Sequence, residues 1–172
     1  MDIDTPHGPA RAHISEADDP RAALVLGHGA GGSIDSADLV AGRRSAAPAP
    51  QLDTAWEAVF EQLPLGDLPR IAGGRSSGAR VACRTAAATN ATAVLCLAFP
   101  VHPPGKPEKS RLAELDAVTV PVLVVQGRSD PFGMPPEAPD REVVTVTGNH
   151  SLAKSRDAVA EAVGDWFART LD

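Results

Sequence analysis

Residues 73–82 read GGRSSGARVA, and within them Ser76 lies between Gly74 and Gly78 in the pattern G-x-S-x-G. A short apolar stretch precedes this pattern, and an alanine-rich segment typical of a buried helix follows it. A serine on such a strand-to-helix turn is exposed at the carboxyl edge of a parallel sheet, and the flanking glycines let neighbouring backbone approach. Ser76 is therefore a candidate nucleophile. The alternative is a glycine-rich turn in which the serine only caps a helix.

Outward from this turn, short apolar runs alternate with segments of helical periodicity. The predicted strands are 22–27, 70–73, 93–99, 120–126 and 143–146, and the predicted helices are 52–63, 79–88 and 159–171. Apolar runs without alternation are typical of strands buried on both faces, so the pattern predicts a doubly wound, mostly parallel α/β sheet. Residues 10–15 alternate weakly and predict an added edge strand.

The whole chain, residues 1–172, is predicted to form a single domain with a peripheral segment at 1–20. Residues 33–51 form an irregular connection in this prediction, and the Pro- and Ala-rich stretch 45–51 is interpreted as loop. A structureless connection of this length is uncommon inside a compact domain.

The composition favours a globular chain over a disordered one, and the expectation of a small-molecule acyl substrate comes from the candidate residues described below. Hydrophobic residues make up 43% of 172, and the net charge of −6 with interspersed signs opposes a nucleic-acid partner. No apolar stretch reaches the roughly 20 residues that cross a bilayer, so no membrane partner is expected. The polar amino terminus differs from a secretory leader, and Cys83 and Cys96 are predicted to be buried free thiols. A cytoplasmic location follows as an expectation.

Two further polar residues follow predicted strands. Asp130 comes just after strand 120–126 in GRSDPF, and His150 comes after strand 143–146 in TGNHSL. Carboxyl ends of parallel strands meet at one edge, so both loops are expected beside Ser76. The chain order nucleophile, acid, base is that of an α/β hydrolase. Alternatively, Asp130 only caps the turn before a proline and His150 only begins a helix.

Residues 23–32, ALVLGHGAGG, admit two interpretations. Gly27, Gly29 and Gly32 match the dinucleotide-binding spacing G-x-G-x-x-G, but the next strand with an acidic residue that this site needs is not evident. An oxyanion hole needs only backbone N–H groups in the loop after a neighbouring strand. We therefore favour an oxyanion function for His28, Gly29, Ala30 and Gly31.

Two other residues complete the candidate site. The Ser77 N–H is expected to donate to the oxyanion because it follows the nucleophile. His102 follows another predicted strand and is expected to line the pocket. The spacing of His, Cys, Asp and Glu matches no metal site, and neither a metal nor a cofactor is expected.

The chain resembles a family of α/β-hydrolase-like proteins in five motifs. In chain order they are HGAGG, GGRSSGARVA, LAFPVHPPGKPEKSR, VPVLVVQGRSDPFG and GNHSL. This family comprises bacterial relatives of dienelactone hydrolase, the testis-expressed Tex-type proteins and a hydrolase-like subunit of a histone-acetylating (NSL) complex. The resemblance spans about residues 20–170. It implies an α/β-hydrolase fold with Ser76 as nucleophile, Asp130 as acid, His150 as base and 28–31 on the oxyanion side.

The chain departs from this family after Val40. Relatives have a full helix and a further core strand there, together roughly 20 residues by ordinary element lengths. Their loss predicts that strand 22–27 lies near the sheet edge, where pairing with a second copy of the chain is favoured. The primary hypothesis is a serine hydrolase of esters or related acyl compounds. The alternative is a non-catalytic interaction module on a degraded hydrolase fold.

Overall fold

The computed structural model describes residues 1–30 and 47–171, and these form a parallel sheet with helices on both faces. The strands of the described residues are β1 (Asp2–Ile3), β2 (Ala10–Arg11), β3 (Ala23–Gly27), β4 (Arg70–Arg75), β5 (Ala93–Leu97), β6 (Val122–Gly127) and β7 (Arg141–Val146). Their helices are α1 (Ala49–Gln62), α2 (Ser77–Thr85), α3 (Leu112–Asp116) and α4 (Arg156–Thr170), with a 3-10 turn at Ala153–Ser155.

The main sheet has the order β3-β4-β5-β6-β7, and every neighbouring pair is parallel. All five predicted core strands are present, which confirms the α/β fold class. Because the strands are parallel, their carboxyl ends lie along one edge, and the loops after β3, β4, β6 and β7 leave the sheet there.

Successive residues of the strands face two separate hydrophobic clusters. On one face, Val94 and Cys96 pack in a cluster with Phe60 of α1. On the other face, Leu95 and Leu123 pack in a cluster with Trp166 of α4. Each large apolar side chain buried in this way contributes about 1.5–3 kcal/mol to folding. This two-sided burial explains why the strand sequences are continuously apolar.

The two cysteines are buried and unbridged, as predicted. Cys83 lies on α2, Cys96 lies on β5, and their Sγ atoms are 3.5 Å apart. The hydrogen bond with Cys83, together with burial, raises the pKa of the Cys96 thiol well above its ordinary value. The thiolate is the reactive form of cysteine, so Cys96 is held in its inert form.

The prediction that residues 10–15 add a strand to the main sheet is wrong. Only Ala10–Arg11 are extended, and they pair antiparallel with Asp2–Ile3 in a separate two-stranded sheet. This hairpin packs against α1, where Gln62 Nε2 donates to the Asp4 carbonyl at 2.7 Å and Ile3 is buried. The segment therefore pairs with the first residues of the chain beside α1, and hydrogen bonds from Gln62 to the Asp4 carbonyl and between His7 and Thr54 tie it there.

The sequence predicts a loop at residues 45–51 and one irregular connection over residues 33–51. Both predictions are wrong for residues 49–51, which are helical. Helix α1 already begins at Ala49, with Pro50 in its first turn and Leu52 N–H donating to the Pro48 carbonyl at 3.2 Å. Proline is accepted there because first-turn N–H groups have no intrahelical acceptor. The rest of this connection, including the segment after Val40, lies outside the described residues.

Strand β3 is the outermost strand of the sheet formed by the described residues. Leu24 and Leu26 are 39% and 50% exposed, whereas Val25 between them packs against the core. The two leucines face the side of the sheet that carries α4, and that helix contacts β6 and β7 toward the opposite edge. Of the described helices, none has the length and hydrophobicity of a membrane span.

Candidate active site

Ser76 lies on a sharp turn between the end of β4 and the start of α2. Its φ of 54° falls in the left-handed region, which costs a non-glycine residue about 1–3 kcal/mol. The Ser76 N–H donates to the Leu97 carbonyl at 3.0 Å, which holds the turn on the neighbouring strand. The turn thus presents the hydroxyl at the carboxyl edge of the sheet, where the sequence placed it.

The glycines on either side of Ser76 allow two backbones to touch. A Cβ on Gly74 would lie 2.6 Å from the Gly27 carbonyl oxygen, and a Cβ on Gly78 would collide with the same carbonyl and with the His28 oxygen at 2.9 Å. Real Cβ atoms do not approach other atoms this closely. The G-x-S-x-G spacing is therefore a packing requirement between the turn and the end of β3.

Ser76, His150 and Asp130 form a continuous chain of hydrogen bonds. The Ser76 Oγ lies 2.8 Å from His150 Nε2, and His150 Nδ1 lies 2.8 Å from Asp130 Oδ2. An ionised carboxylate only accepts hydrogen bonds, so Nδ1 carries the proton and Nε2 is free to accept from the serine hydroxyl. The Asp130 side chain is 1% exposed and that of His150 is 16% exposed, which keeps most water from these bonds.

Gln126, the fully buried polar residue near the end of β6, holds the Asp130 carboxylate. Its Nε2 donates to Asp130 Oδ2 at 2.8 Å and also lies 2.9 Å from the Gly133 carbonyl and 3.1 Å from the Phe99 carbonyl. All three partners are acceptors, so the amide nitrogen must face them. Asp130 Oδ1 accepts the Phe132 N–H at 2.8 Å. The carboxylate is thereby fixed at both oxygens.

Phe132 contacts the imidazole of His150 directly. The two ring centroids are 4.1 Å apart with an angle of 31° between the planes, so the phenyl ring covers one face of the histidine.

His102 does not hydrogen-bond to the serine, histidine or aspartate, all of which are described. Its N–H donates to the Phe132 carbonyl at 3.0 Å, and a Cβ on Gly133 would lie 2.7 Å from its Nε2. His102 therefore packs against the loop that carries Asp130.

The predicted oxyanion residues lie on the other side of Ser76. Gly29 is buried, and a Cβ placed on it would be 3.5 Å from Ser76 Cβ. His28 and Ala30 are exposed, and the His28 Nδ1 is bonded to the Gly29 carbonyl at 2.8 Å. Ser77 is the first residue of α2, so its N–H has no intrahelical acceptor. Gly31 lies outside the described residues.

A cluster of ion pairs fixes α2 to its neighbours. Arg84 on this helix bonds to Asp53 of α1 at 2.6 Å, and both Arg84 and Arg80 bond to Glu114 of α3. Burial alone raises the pKa of Glu114, but the hydrogen bonds and charges of the two arginines outweigh burial and lower that pKa below its ordinary value. The carboxylate is therefore stabilised in its charged form beneath the helix that follows Ser76.

The sequence does not predict three contacts of the site. These are the hydrogen bonds of Gln126, the packing of Phe132 on His150, and the bond from Arg75 Nη2 to the His150 carbonyl at 3.1 Å. A signal existed for Gln126, because an amide inside a buried apolar strand must find partners. No sequence signal places the phenyl ring or the guanidinium, since loop geometry determines both contacts. Within the part of the chain that the structure describes, no group of three or more His, Cys, Asp or Glu side chains could hold a metal ion.

Comparison with known proteins places this geometry in context. A family model described as an alpha/beta hydrolase domain matches residues 35–162. The comparison with curated proteins gave no significant match.

Three solved structures resemble the chain. One is XC6422 from Xanthomonas campestris, described as an α/β serine hydrolase without a lid, with a TM-score of 0.66 and 20% identity over 96% of this chain and 93% of that one. Another is the enol-lactonase from Burkholderia xenovorans, with a TM-score of 0.65 and 14% identity over 89% of this chain and 94% of that one. The third is YbtT, a type II thioesterase of the yersiniabactin pathway, with a TM-score of 0.60 and 16% identity over 92% and 98%. At these identities the likeness is one of fold.

Proposed function

The chain belongs to the alpha/beta hydrolase family, and from this premise we propose that it is a serine hydrolase of esters or related acyl compounds. In this proposal Ser76 is the nucleophile, His150 the general base and Asp130 the residue that orients the base. One observation carries the proposal: both ring nitrogens of His150 are engaged at 2.8 Å, one by a hydroxyl and the other by a buried carboxylate.

In the acylation step His150 Nε2 takes the hydroxyl proton as Ser76 Oγ attacks the acyl carbon. The imidazole becomes positively charged, and Asp130, 2.8 Å from Nδ1, stabilises that charge. The carbonyl oxygen becomes an oxyanion, which accepts hydrogen bonds from the Ser77 N–H and from the backbone at Gly29–Ala30. His150 then gives its proton to the leaving alcohol or thiol, and an acyl-serine remains.

In the deacylation step water takes the place of the leaving group. His150 Nε2 removes a proton from the water while its oxygen bonds to the acyl carbon. The tetrahedral intermediate expels Ser76 Oγ, which recovers a proton from the imidazole. The free acid and the original enzyme are the products.

The acyl class is proposed from two sources. The described residues of the site supply a hydroxyl, an imidazole and a buried carboxylate, which are the groups that acyl transfer through a serine requires. Structural neighbours include an enol-lactonase and a thioesterase, which cleave acyl–oxygen and acyl–sulfur bonds. Within the family we assign the chain to the dienelactone-hydrolase-like, Tex-type branch on the motifs quoted from its sequence.

Hydrolysis of a short-chain p-nitrophenyl ester tests the proposal. Wild-type protein is expected to release p-nitrophenolate with a saturable rate, and Ser76→Ala to abolish it. Ser129→Ala is the matched control, since Ser129 is an exposed serine beside Asp130. A folded wild-type protein without hydrolysis would support the non-catalytic interaction module instead. Hydrolysis that persists in Ser76→Ala would contradict the assignment of Ser76 as the nucleophile.

A further inference from the structure

Two consecutive residues, Arg75 at the end of β4 and Ser76 on the turn that follows, form hydrogen bonds with the main chain and the side chain of His150. Ser76 Oγ bonds to the imidazole Nε2 at 2.8 Å, and the Arg75 guanidinium donates from Nη2 to the His150 main-chain carbonyl at 3.1 Å. Among the described residues, these are the two hydrogen bonds that join the His150 loop to the turn. The first is broken and re-formed during the reaction proposed above, whereas the second is not.

The Arg75 guanidinium also borders the oxyanion loop. A Cβ on Gly29 would lie 3.4 Å from Arg75 Nη1 and 3.5 Å from Ser76 Cβ, so both side chains adjoin the same face of Gly29. The guanidinium therefore lies between the loop after β3 and the loop after β7. No carboxylate of the described residues pairs with Arg75, in contrast to Arg80 and Arg84 further along the chain.

The loop that carries His150 depends on such fixed points, because Thr147, Asn149 and Ser151 are exposed around the half-buried histidine. Its other ties reach the loop after β6: the Ser129 N–H donates to the Gly148 carbonyl at 2.9 Å, and His150 Nδ1 lies 2.8 Å from Asp130 Oδ2. A displacement of the loop by a fraction of an ångström toward solvent would lengthen the Nε2–Oγ distance, and proton transfer depends on that distance.

We propose that Arg75 is a positioning residue that holds the His150 main chain and that matters most in deacylation. This inference rests on the proposed function. In the acyl-enzyme Ser76 Oγ is esterified and no longer donates to Nε2, so the turn keeps its hold on the histidine through Arg75 alone. The bond from Arg75 to a carbonyl is charge-assisted and lies in a half-buried place, which makes it stronger than an exposed neutral bond.

Burst kinetics with p-nitrophenyl acetate separate the two steps. In Arg75→Met the burst of p-nitrophenolate, which reports acylation, is expected to keep its amplitude, while the steady-state kcat falls about tenfold, as for loss of one charge-assisted hydrogen bond. KM falls with kcat because acyl-enzyme accumulates, so kcat/KM changes little. Arg128→Ala, which removes an exposed arginine from the Asp130 loop, is the matched control and is expected to behave as wild type.

Two further variants keep the inference falsifiable if Arg75→Met folds poorly. Arg75→Lys retains the charge without the planar guanidinium and is expected to lose most of the deacylation rate. Arg75→Ala is expected to regain part of its kcat when guanidinium chloride is added below denaturing concentration, but not with equal sodium chloride.

The outcomes separate the two proposals. A wild-type protein that releases no p-nitrophenolate, in the burst or in the steady state, overturns the proposed function and this inference with it. A wild-type burst with equal kcat in Arg75→Met overturns the inference alone. Parallel losses of kcat and kcat/KM, without guanidinium rescue, would also overturn it. A raised KM for p-nitrophenyl hemisuccinate, with unchanged kinetics for the neutral acetate, would instead make Arg75 an anion-binding residue.

Discussion

The two sides of Ser76 are built in different ways. On one side, the loops after β6 and β7 present Asp130 and His150, and side chains fix both residues: Gln126 bonds to the carboxylate at 2.8 Å and Phe132 covers the imidazole. On the other side, the described part of the loop after β3, residues 28–30, packs the backbone of Gly29 beside the serine. Side-chain contacts thus fix the geometry of the proposed acid–base side, which is the loops after β6 and β7. Close backbone packing fixes the described part of the proposed oxyanion side, which is the loop after β3.

The strands behind the two sides differ as well. Strand β6 is buried along its whole length between β5 and β7, whereas β3 is outermost among the described strands and exposes Leu24 and Leu26. Substitutions on the proposed acid–base side should therefore abolish chemistry through single groups. Substitutions on the oxyanion side should act through the shape of the backbone.

The largest expected effect comes from Asp130→Asn. The Phe132 N–H has only the Oδ1 position to donate to, whereas Gln126 Nε2 keeps the Gly133 and Phe99 carbonyls as acceptors. The amide nitrogen of the new side chain would therefore take the Oδ2 position and face His150 Nδ1. Nδ1 must then accept a hydrogen bond, so the proton moves to Nε2 and Ser76 loses its base. We expect kcat to fall about 10³–10⁴-fold, with the fold unchanged by circular dichroism. A loss below tenfold would show that the carboxylate does not set the tautomer.

The next largest effect is on stability, and it should differ between the strands behind the two sides. Leu123 is fully buried on β6, and Leu123→Ala is expected to lower the free energy of unfolding by about 2–5 kcal/mol. Leu26→Ala on β3 is expected to cost less than about 1 kcal/mol, since half of its side chain is already exposed. Urea denaturation of both variants measures the difference. Equal losses would mean that β3 is covered in solution, as pairing with a second copy would require.

Much of the acid–base side could be predicted from the sequence, because apolar runs mark buried parallel strands and polar residues after them must meet at one edge. Ser76, Asp130 and His150 follow from that logic. The roles of Gln126 and Phe132 could not be predicted, since a hydrogen bond or a ring contact depends on loop paths that periodicity does not encode. The start of α1 at Ala49 was missed because prolines in a first helical turn resemble loop.

A smaller effect is expected where the two sides touch. Gly78→Ala places a methyl group against the Gly27 and His28 carbonyls, and such overpacking costs about 1–3 kcal/mol. In a chain of this size that lowers Tm by roughly 2–4 °C for each kcal/mol. Gly164→Ala on α4 is the control, because its Cβ would meet nothing within 4 Å and is expected to raise Tm slightly. An unchanged Tm in Gly78→Ala would contradict the close packing of the two backbones.

The smallest effect concerns the ion pairs that fix α2. The pKa of Glu114 is lowered in the folded chain, so its proton binds more tightly in the unfolded chain. The stabilisation is therefore complete above the unfolded pKa of about 4.3 and declines as the pH falls through the lowered folded pKa. Glu114→Gln is expected to cost about 1 kcal/mol at pH 7, and the gap from wild type should narrow below about pH 4.3.

The exposed Glu137 supplies the control for this pH dependence. Glu137→Gln is expected to follow the wild-type curve of unfolding free energy against pH. A Glu114→Gln variant whose gap from wild type stays constant down to low pH would show that the arginines do not stabilise the carboxylate.

The most direct test of the central claim, that His150 activates Ser76 as a nucleophile, is labelling with a fluorophosphonate followed by mass mapping. Cleavage after Arg75 and Arg80 isolates residues 76–80, and fragmentation distinguishes Ser76 from Ser77. We expect one adduct on Ser76, absent from Ser76→Ala and formed far more slowly in His150→Ala. A folded wild-type protein without an adduct, or with one on another residue, would contradict the claim.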